Sequence, residues 1–197
     1  LITDSLGIER YQGIPLYLGE DTITPERYTR DGSLVKISDD TTKFVRASTV
    51  YVEGEWYIPR KYIKPIDIDT LYFNKLIFVD RTNQNIATLE KTDSTWSVRS
   101  MNPATTGVYK PPYAHPTPLG IFVIQEKKAK MIYLKDGSTE TGGFAPHASR
   151  FSNGGYIHGV PSNVPRTSII EYSQTLGTIP RSHMCVRNAS SHADFVF

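Results

Sequence analysis

The segment KLIFVDRTNQNIATLEKTDSTWSVRSM at residues 75–101 decides the fold class of this chain. It contains three short runs rich in apolar and β-branched residues, KLIFVD, NIATLEK and WSVRSM, and this composition favours strands over helices. The runs are connected by RTNQ and by Asp93 with Ser94, and short polar connections of this kind form tight turns. The sequence therefore predicts an antiparallel meander of three strands.

The remaining sequence is also typical of a mainly β protein. The 197 residues include 12 Tyr, 8 Phe and 2 Trp, and few windows have the apolar spacing of a helix. Before the meander, strand-like stretches lie at 14–18, 33–37, 44–52 and 55–59. Apolar and polar residues alternate around Val50 and Trp56, as expected of half-buried strands.

Beyond the meander the prediction is a loop followed by a further strand pair. Residues 102–120 are rich in Pro, Gly and Thr, which predicts a loop. The runs IFVIQ at 121–125 and MIYL at 131–134 predict paired strands. The residues between them include Lys127, Lys128 and Lys130, which we place on a solvated hairpin rim.

Helices are expected only near the end of the chain. The stretch 167–175 has apolar residues at helical spacing, and Gly177 provides a C-terminal stop. The stretch 188–197 has Asn188 or Ser190 as its candidate N-terminal cap.

A change of character near residues 64–67 divides the chain into two predicted domains, 1–66 and 67–197. The first ends in WYIPRKYIK at 56–64, which resembles the end of bacterial SH3-like modules, where a Trp strand and a short turn precede a Tyr-Ile anchor. The resemblance leaves two interpretations open. The module binds glycan or peptide through an aromatic groove, or it is a small β-barrel that packs its aromatics into its own core.

Composition excludes several classes of function. Lys and Arg number 22 and Asp and Glu 20, so the net charge of +2 gives no electrostatic case for nucleic acid or an anionic membrane as partner. A single cysteine, Cys185, excludes an intramolecular disulfide and any multi-cysteine metal site. No run approaches the roughly 18 apolar residues of a membrane helix, so no transmembrane segment is predicted.

The residues around Cys185 suggest thiol chemistry. His183 lies two residues before it and His158 lies upstream in a Gly-rich stretch. An imidazole within hydrogen-bond reach can take the proton of a thiol, and neighbouring backbone N–H groups can hold an oxyanion. A helix starting just after Cys185 would further favour the thiolate. From the residues alone, a nucleophile and a buried inert cysteine both remain open.

Four landmarks together resemble one family. The segment Ser182-His183-Met184-Cys185-Val186-Arg187, preceded by Ile157-His158-Gly159, resembles the signature of bacterial L,D-transpeptidases of the YkuD type. HPTPLGIF at 115–122 is similar to a further segment of these enzymes, and the meander with Thr105-Thr106-Gly107 is similar to the start of their catalytic domain. The resemblance spans about residues 70–197. It implies a mainly β chain in which a small SH3-like β-barrel precedes an L,D-transpeptidase-type β-sandwich with short helices.

The resemblance also assigns roles to residues. It implies Cys185 as the nucleophile, His158 as its general base and the backbone carbonyl of Gly159 as the group that orients His158. His183 would shape the site, and the backbone N–H groups of Met184 and Cys185 would form the oxyanion hole. Met184 stands where the family usually has Gly, so we expect its side chain to narrow the cleft or to alter the oxyanion backbone.

Four further residues are expected to bind substrate, namely Ser182, Arg187, Tyr156 and Arg150. Arg150 is the candidate partner for a carboxylate of a peptide stem. The stretch 162–177 is expected to form a lid or wall beside the site, since the gap between the two motifs is longer than usual. His115 and His192 are expected at the surface.

The activity implied by the resemblance is cysteine acyl transfer on peptidoglycan tetrapeptide stems. A thioester at Cys185 would lead to 3→3 cross-links or to release of the terminal D-amino acid, without a cofactor or a metal. This substrate implies an extracytoplasmic location, in the periplasm or the cell wall. Two alternatives remain: a catalytically weak wall-binding protein that relies on the SH3-like module, and a general cysteine peptidase.

Overall fold

The computed structural model describes residues 13–20, 23–66, 72–164 and 174–197. The chain divides into two compact units. The first contains the described residues up to Tyr72 together with Pro118–Gln125 and Phe151–Asn153, and the second contains Phe73–Thr117, Glu126–Arg150 and Gly154–Phe197. The domain boundary between residues 66 and 67 stays a prediction, because 67–71 lie outside the described residues.

The first unit consists of short antiparallel strands, and each of the four predicted stretches overlaps one of them. The strands are β1 (Ile14–Leu16), β2 (Arg27–Thr29), β3 (Val35–Asp40), β4 (Phe44–Thr49) and β5 (Glu55–Pro59), followed by a 3₁₀ turn at Arg60–Tyr62. β1 pairs with β2, which the sequence pattern did not predict, and β3, β4 and β5 form a three-stranded sheet.

Alternation along β4 and β5 builds the core of this unit. One face of these strands buries Val45, Ala47, Trp56 and Ile58, which pack with Ile14 and Leu16 of β1. Tyr62 and Ile63, the Tyr-Ile pair of the sequence, are partly buried against this cluster. The SH3-like character of the module stays a prediction.

The second unit is built on one large sheet and confirms the mainly β fold class. Its strands are β6 (Lys75–Asp80), β7 (Asn85–Thr92), β8 (Thr95–Thr105), β9 (Glu126–Leu134), β10 (Thr141–Ser152), β11 (Gly155–His158), β12 (Ser162–Asn163) and β13 (Val186–Asn188). Their order is β12-β10-β11-β13-β8-β7-β6, with β9 paired to β10. The predicted meander is confirmed as β6, β7 and β8 in antiparallel register.

The predicted strand pair after the loop is wrong. Within the described residues, 121–125 contributes only the isolated bridge between Ser33 and Phe122. MIYL belongs to the longer strand β9, whose partner is β10, so the three lysines lie within a strand and not on a turn. Lysines suit a strand at the edge of a sheet, where one side of the backbone is not paired with another strand.

The predicted loop at 102–120 is also partly wrong, because β8 continues to Thr105. Its last residues pair with β13, with Arg187 opposite Thr105 and Asn188 opposite Ala104. A partner more than 80 residues away supplies these hydrogen bonds, and local composition carries no sign of it.

One helix, α1 (Ser190–Val196), confirms the helix predicted at the end of the chain. Its cap is Ala189, which makes no side-chain capping bond, so neither Asn188 nor Ser190 caps it. The helix predicted at 167–175, and with it most of the expected lid at 162–177, falls largely outside the described residues. No helix in the described part of the chain has the length and apolarity needed to cross a membrane.

Candidate active site

The parallel pairing of β11 with β13 brings the two sequence motifs together. Ile157 lies opposite Val186, and His158 lies opposite Arg187. Because side chains alternate along a strand, His158 and Tyr156 face the same side as Arg187 and Cys185, the residue just before β13. Ile157 and Val186 face the other side and are buried. Four side chains from two distant motifs therefore share one side of the sheet.

These four side chains line a cavity of about 790 Å³ within the second unit. Much of the remaining lining comes from β9 and the residues that follow it. Apolar lining is provided by Tyr113, Met131, Tyr133 and Leu134, and polar lining by Lys135, Asp136 and His183. The cavity therefore offers an apolar wall and a polar rim around the thiol.

Cys185 carries a half-buried, reduced thiol. Its Sγ–H donates to the backbone carbonyl of Gly154 at 3.6 Å. Burial raises the pKa of this thiol above its ordinary value, while the backbone N–H of Tyr156 and the charge of Arg187 act in the opposite direction. The strand β13, and not a helix, directly follows Cys185, so no helix terminus lies beside the thiol to support a thiolate. The thiol is therefore protonated at neutral pH.

His158 is buried and neutral. The residue is only 3% exposed, and its Nδ1 lies 2.6 Å from the carbonyl oxygen of Gly159. A carbonyl oxygen can only accept, so Nδ1 carries the proton and Nε2 keeps a lone pair. Burial lowers the pKa of His158 to about 4; the bond to Gly159 opposes this shift and the charge of Arg187 adds to it. His158 is therefore able to accept a proton at neutral pH.

The loop before β13 is held by its carbonyl groups. Each of them accepts a hydrogen bond, from Val108 N–H to Ser182, from His115 N–H to His183, from the Thr117 hydroxyl to Met184 and from the Ser182 hydroxyl to Cys185. The N–H groups of Met184 and Cys185 have no acceptor among the described residues. They are thus available as donors to a ligand.

Thr117 has two contacts that fix this loop. Its Oγ1 accepts from the backbone N–H of Gly107 and donates to the carbonyl of Met184, both at 2.8 Å. Thr117 is 4% exposed, so water does not readily replace either bond. The residue belongs to the HPTPLGIF segment, and its two hydrogen bonds hold the loop before Cys185 in place.

Replacing Thr117 by Val is expected to lower the free energy of unfolding by roughly 1–3 kcal/mol, because the isosteric side chain leaves two buried backbone groups without a partner. Denaturant titration of both proteins measures this difference. Thr95→Val, at an exposed position of β8, is the matched control and is expected to change stability by less than about 0.5 kcal/mol. Equal stability of Thr117→Val and the unsubstituted protein would contradict the assigned role.

Met184 does not line the cavity, so the expected narrowing of the cleft is not observed, while an altered oxyanion backbone stays a prediction. The residue is 9% exposed. Its side chain packs over Gly154, where an added Cβ would lie 2.8 Å from Met184 Cε. Gly154 has a φ of +80°, which favours glycine in this turn. The absence of a side chain at Gly154 leaves room for the methionine side chain.

The structure brings two of the four expected substrate-binding residues, Tyr156 and Arg187, to the cavity, together with His183. Ser182 is fully buried and serves the loop backbone. Arg150 is wrong as a substrate contact, since it is fully buried and its Nε lies 3.3 Å from a carboxylate oxygen of Glu126. The Arg150 guanidinium therefore belongs to an ion pair inside the fold and does not face the cavity.

Two residues near the site were not predicted from the sequence, one that lines the cavity and one that is buried behind it. Asp136 lines the cavity and its carboxylate lies 3.0 Å from Nε2 of His183. His192, expected at the surface, is buried and bonded to Asn188. The polarity of Asn188 at a strand position next to the motif is the one signal that could have indicated a buried polar contact there.

Comparison with known proteins identifies a family. The model of the YkuD family, described as the L,D-transpeptidase catalytic domain, matches residues 74–197, more than half of the chain. A comparison with curated proteins found no significant match.

Two solved structures are similar to this chain. One is LD transpeptidase LdtMt1 in complex with imipenem, at 18% identity and a TM-score of 0.48, covering 83% of this chain and 76% of that one. The other is an L,D-transpeptidase from Mycobacterium smegmatis, at 18% identity and a TM-score of 0.46, covering 82% and 75%.

Proposed function

Because the chain belongs to the YkuD family of L,D-transpeptidases, we propose that it transfers acyl groups between peptidoglycan stems through a thioester at Cys185. The observation that carries this proposal is that Cys185 and His158, from two distant motifs, line the same cavity from the same side of the sheet. His158 is fixed with its proton on Nδ1 by Gly159, so Nε2 is the atom that can receive the proton of the thiol.

The first half-reaction forms the thioester. His158 Nε2 takes the proton from Cys185, and Sγ attacks the carbonyl between the third residue of a tetrapeptide stem and its terminal D-residue. The N–H groups of Met184 and Cys185 donate to the oxyanion that develops. The C–N bond then breaks, His158 returns its proton to the leaving amine, and the D-amino acid departs.

The second half-reaction resolves the thioester. A side-chain amine of a neighbouring stem attacks the thioester carbonyl, and His158 takes a proton from the attacking nitrogen. The C–S bond breaks and the proton returns to Cys185, which leaves a 3→3 cross-link and the free enzyme. Water in place of the amine would make the same site an L,D-carboxypeptidase. Every proton in this sequence moves between His158, Cys185 and the substrates.

The surroundings of the thiol fit a peptide stem. Arg187 supplies a buried positive charge next to Cys185 and His158, and Tyr156 provides an aromatic wall on the same side of the sheet. An enzyme that acts on the cell wall works outside the cytoplasm, in the periplasm or the wall itself. The SH3-like unit would then bind wall glycan or peptide.

Intact-mass analysis tests the proposal. After incubation with a tetrapeptide muropeptide, the protein should gain one stem less its terminal D-amino acid, and with imipenem it should gain one β-lactam. Cys185→Ala should gain neither. Absence of both adducts and of released D-amino acid would refute the enzyme proposal and favour a wall-binding protein. Cleavage of ordinary L,L-peptides without turnover of stems would favour a general cysteine peptidase.

A further inference from the structure

A chain of buried polar side chains lies behind the site, on the side away from the cavity. Asn188 Nδ2 donates to the backbone carbonyl of His158 at 3.3 Å, and His192 Nδ1 lies 3.2 Å from Asn188 Oδ1. His192 Nε2 lies 2.7 Å from Ser100 Oγ, which is 2.6 Å from Thr88 Oγ1. This series of hydrogen bonds thus runs from β7 and β8 through α1 and β13 to His158.

In this series of side chains, the donor and acceptor of each hydrogen bond follow from the one before it. Asn188 uses its amide N–H on the His158 carbonyl, so its Oδ1 accepts the Nδ1 proton of His192. Nε2 of His192 then accepts the hydroxyl proton of Ser100, and Thr88 donates to Ser100. Each side chain is therefore satisfied when His192 is neutral, and burial does lower the pKa of His192.

Ser100, His192 and Asn188 have the order of a Ser-His-amide triad, but none of the three is among the residues that line the cavity. Asn188 is fully buried and His192 is 6% exposed. The end point of the chain is the peptide group that joins His158 to Gly159. The carbonyl of this peptide is bonded to Asn188, and its N–H donates to the carbonyl of Pro146 at 2.9 Å.

The helix itself packs against Gly159. An added Cβ at Gly159 would lie 2.9 Å from Ser190 Oγ and 3.0 Å from Ser190 Cα, and Ser190 is the first residue of α1. The carbonyl that orients His158 therefore belongs to a glycine whose position depends on α1. His192, two residues further along, ties the same helix to β8 and β13.

We propose that Asn188 and His192 are positioning residues, which hold the His158-Gly159 peptide so that the Gly159 carbonyl keeps the imidazole of His158 aimed at Cys185. This inference rests on the proposed function for its kinetic consequence alone. The geometric consequence is an imidazole that is held in one orientation and shielded from water, and it exists whether or not the protein turns over a stem.

The test compares Asn188→Leu and His192→Phe, which keep a similar branched or ring shape and remove the hydrogen bonds, with Ser191→Ala at an exposed position of α1. Acylation of Cys185 by imipenem, followed by intact mass, should slow roughly 10- to 100-fold in the two variants and stay unchanged in the control, because misplacement of a reacting group costs about this much. His192→Gln, which can restore the bond to Asn188, should recover part of the rate.

NMR titration of ring-labelled histidine adds a measurement that needs no turnover. The midpoint of His158 should rise from about 4 toward its ordinary value in the two variants, because access to water relieves the burial that is the largest cause of the low pKa. A weaker bond to Gly159 acts in the opposite direction and offsets only part of this rise. Should either variant fail to fold, Ser100→Ala, which removes only the outer link, replaces it. Folded variants with an unchanged His158 titration and an unchanged acylation rate would overturn the proposal. If the unsubstituted protein itself is not acylated, the proposed function would be refuted instead.

Discussion

Replacing His158 by Gln is expected to lower the rate constant for acylation of Cys185 by roughly 10²–10⁴-fold, the usual contribution of a general base. Burial holds the thiol in its protonated form at neutral pH, so the proton must leave before Sγ can attack. His158 is neutral at that pH and has its lone pair on Nε2. Gln is similar in length but cannot accept a proton to form a cation.

Time courses of imipenem acylation at pH 7, followed by intact mass, measure this effect. His115→Gln is the matched control, because His115 is exposed and does not line the cavity, and its ring Nε2 lies 3.3 Å from the Pro112 carbonyl oxygen. That variant should be acylated at the unsubstituted rate. A rate for His158→Gln within about threefold of the unsubstituted protein, with Cys185 still the acylated residue, would show that another group takes the proton.

The parts of the site that the sequence predicted are those set by local backbone. His158 and Gly159 are adjacent, so a histidine on the last residue of a strand and a carbonyl one residue later can meet without help from the rest of the fold. The three strands of the meander are joined by short turns, and their pairing follows from the chain itself. Such features need no knowledge of distant partners.

The errors share the opposite property, because each depends on a residue far away in sequence. The sequence predicts that Arg150 binds substrate, but its guanidinium forms an ion pair with Glu126 on the neighbouring strand. Met184 was expected to narrow the cleft, but Gly154, 30 positions earlier, leaves room for its side chain. His192 is polar and near the end of the chain, which indicates a surface position until its contacts with Ser100 and Asn188 are known.

The buried histidine also makes the fold sensitive to acid. The pKa of His158 is lowered from 6.5 to about 4 in the folded protein, and a difference of one pKa unit corresponds to about 1.4 kcal/mol. Above pH 6.5 both states hold a neutral imidazole and its full contribution to stability is present. As the pH falls from 6.5 toward 4, the unfolded chain binds a proton that the folded protein does not, so this histidine should cost about 3 kcal/mol of stability over that interval.

Denaturant titrations of the unsubstituted protein and of His158→Gln, each at a series of pH values from 7 to 4, measure this contribution. Carboxylates such as Asp80, whose pKa is lowered by bonds from Asn83, and the buried His192 change stability in both proteins, so they cancel in the difference. The unsubstituted protein should therefore lose about 3 kcal/mol more than the variant. Parallel curves for the two proteins would mean that His158 is protonated in the folded state well above pH 4, and a cationic His158 could not act as the base that the mechanism requires.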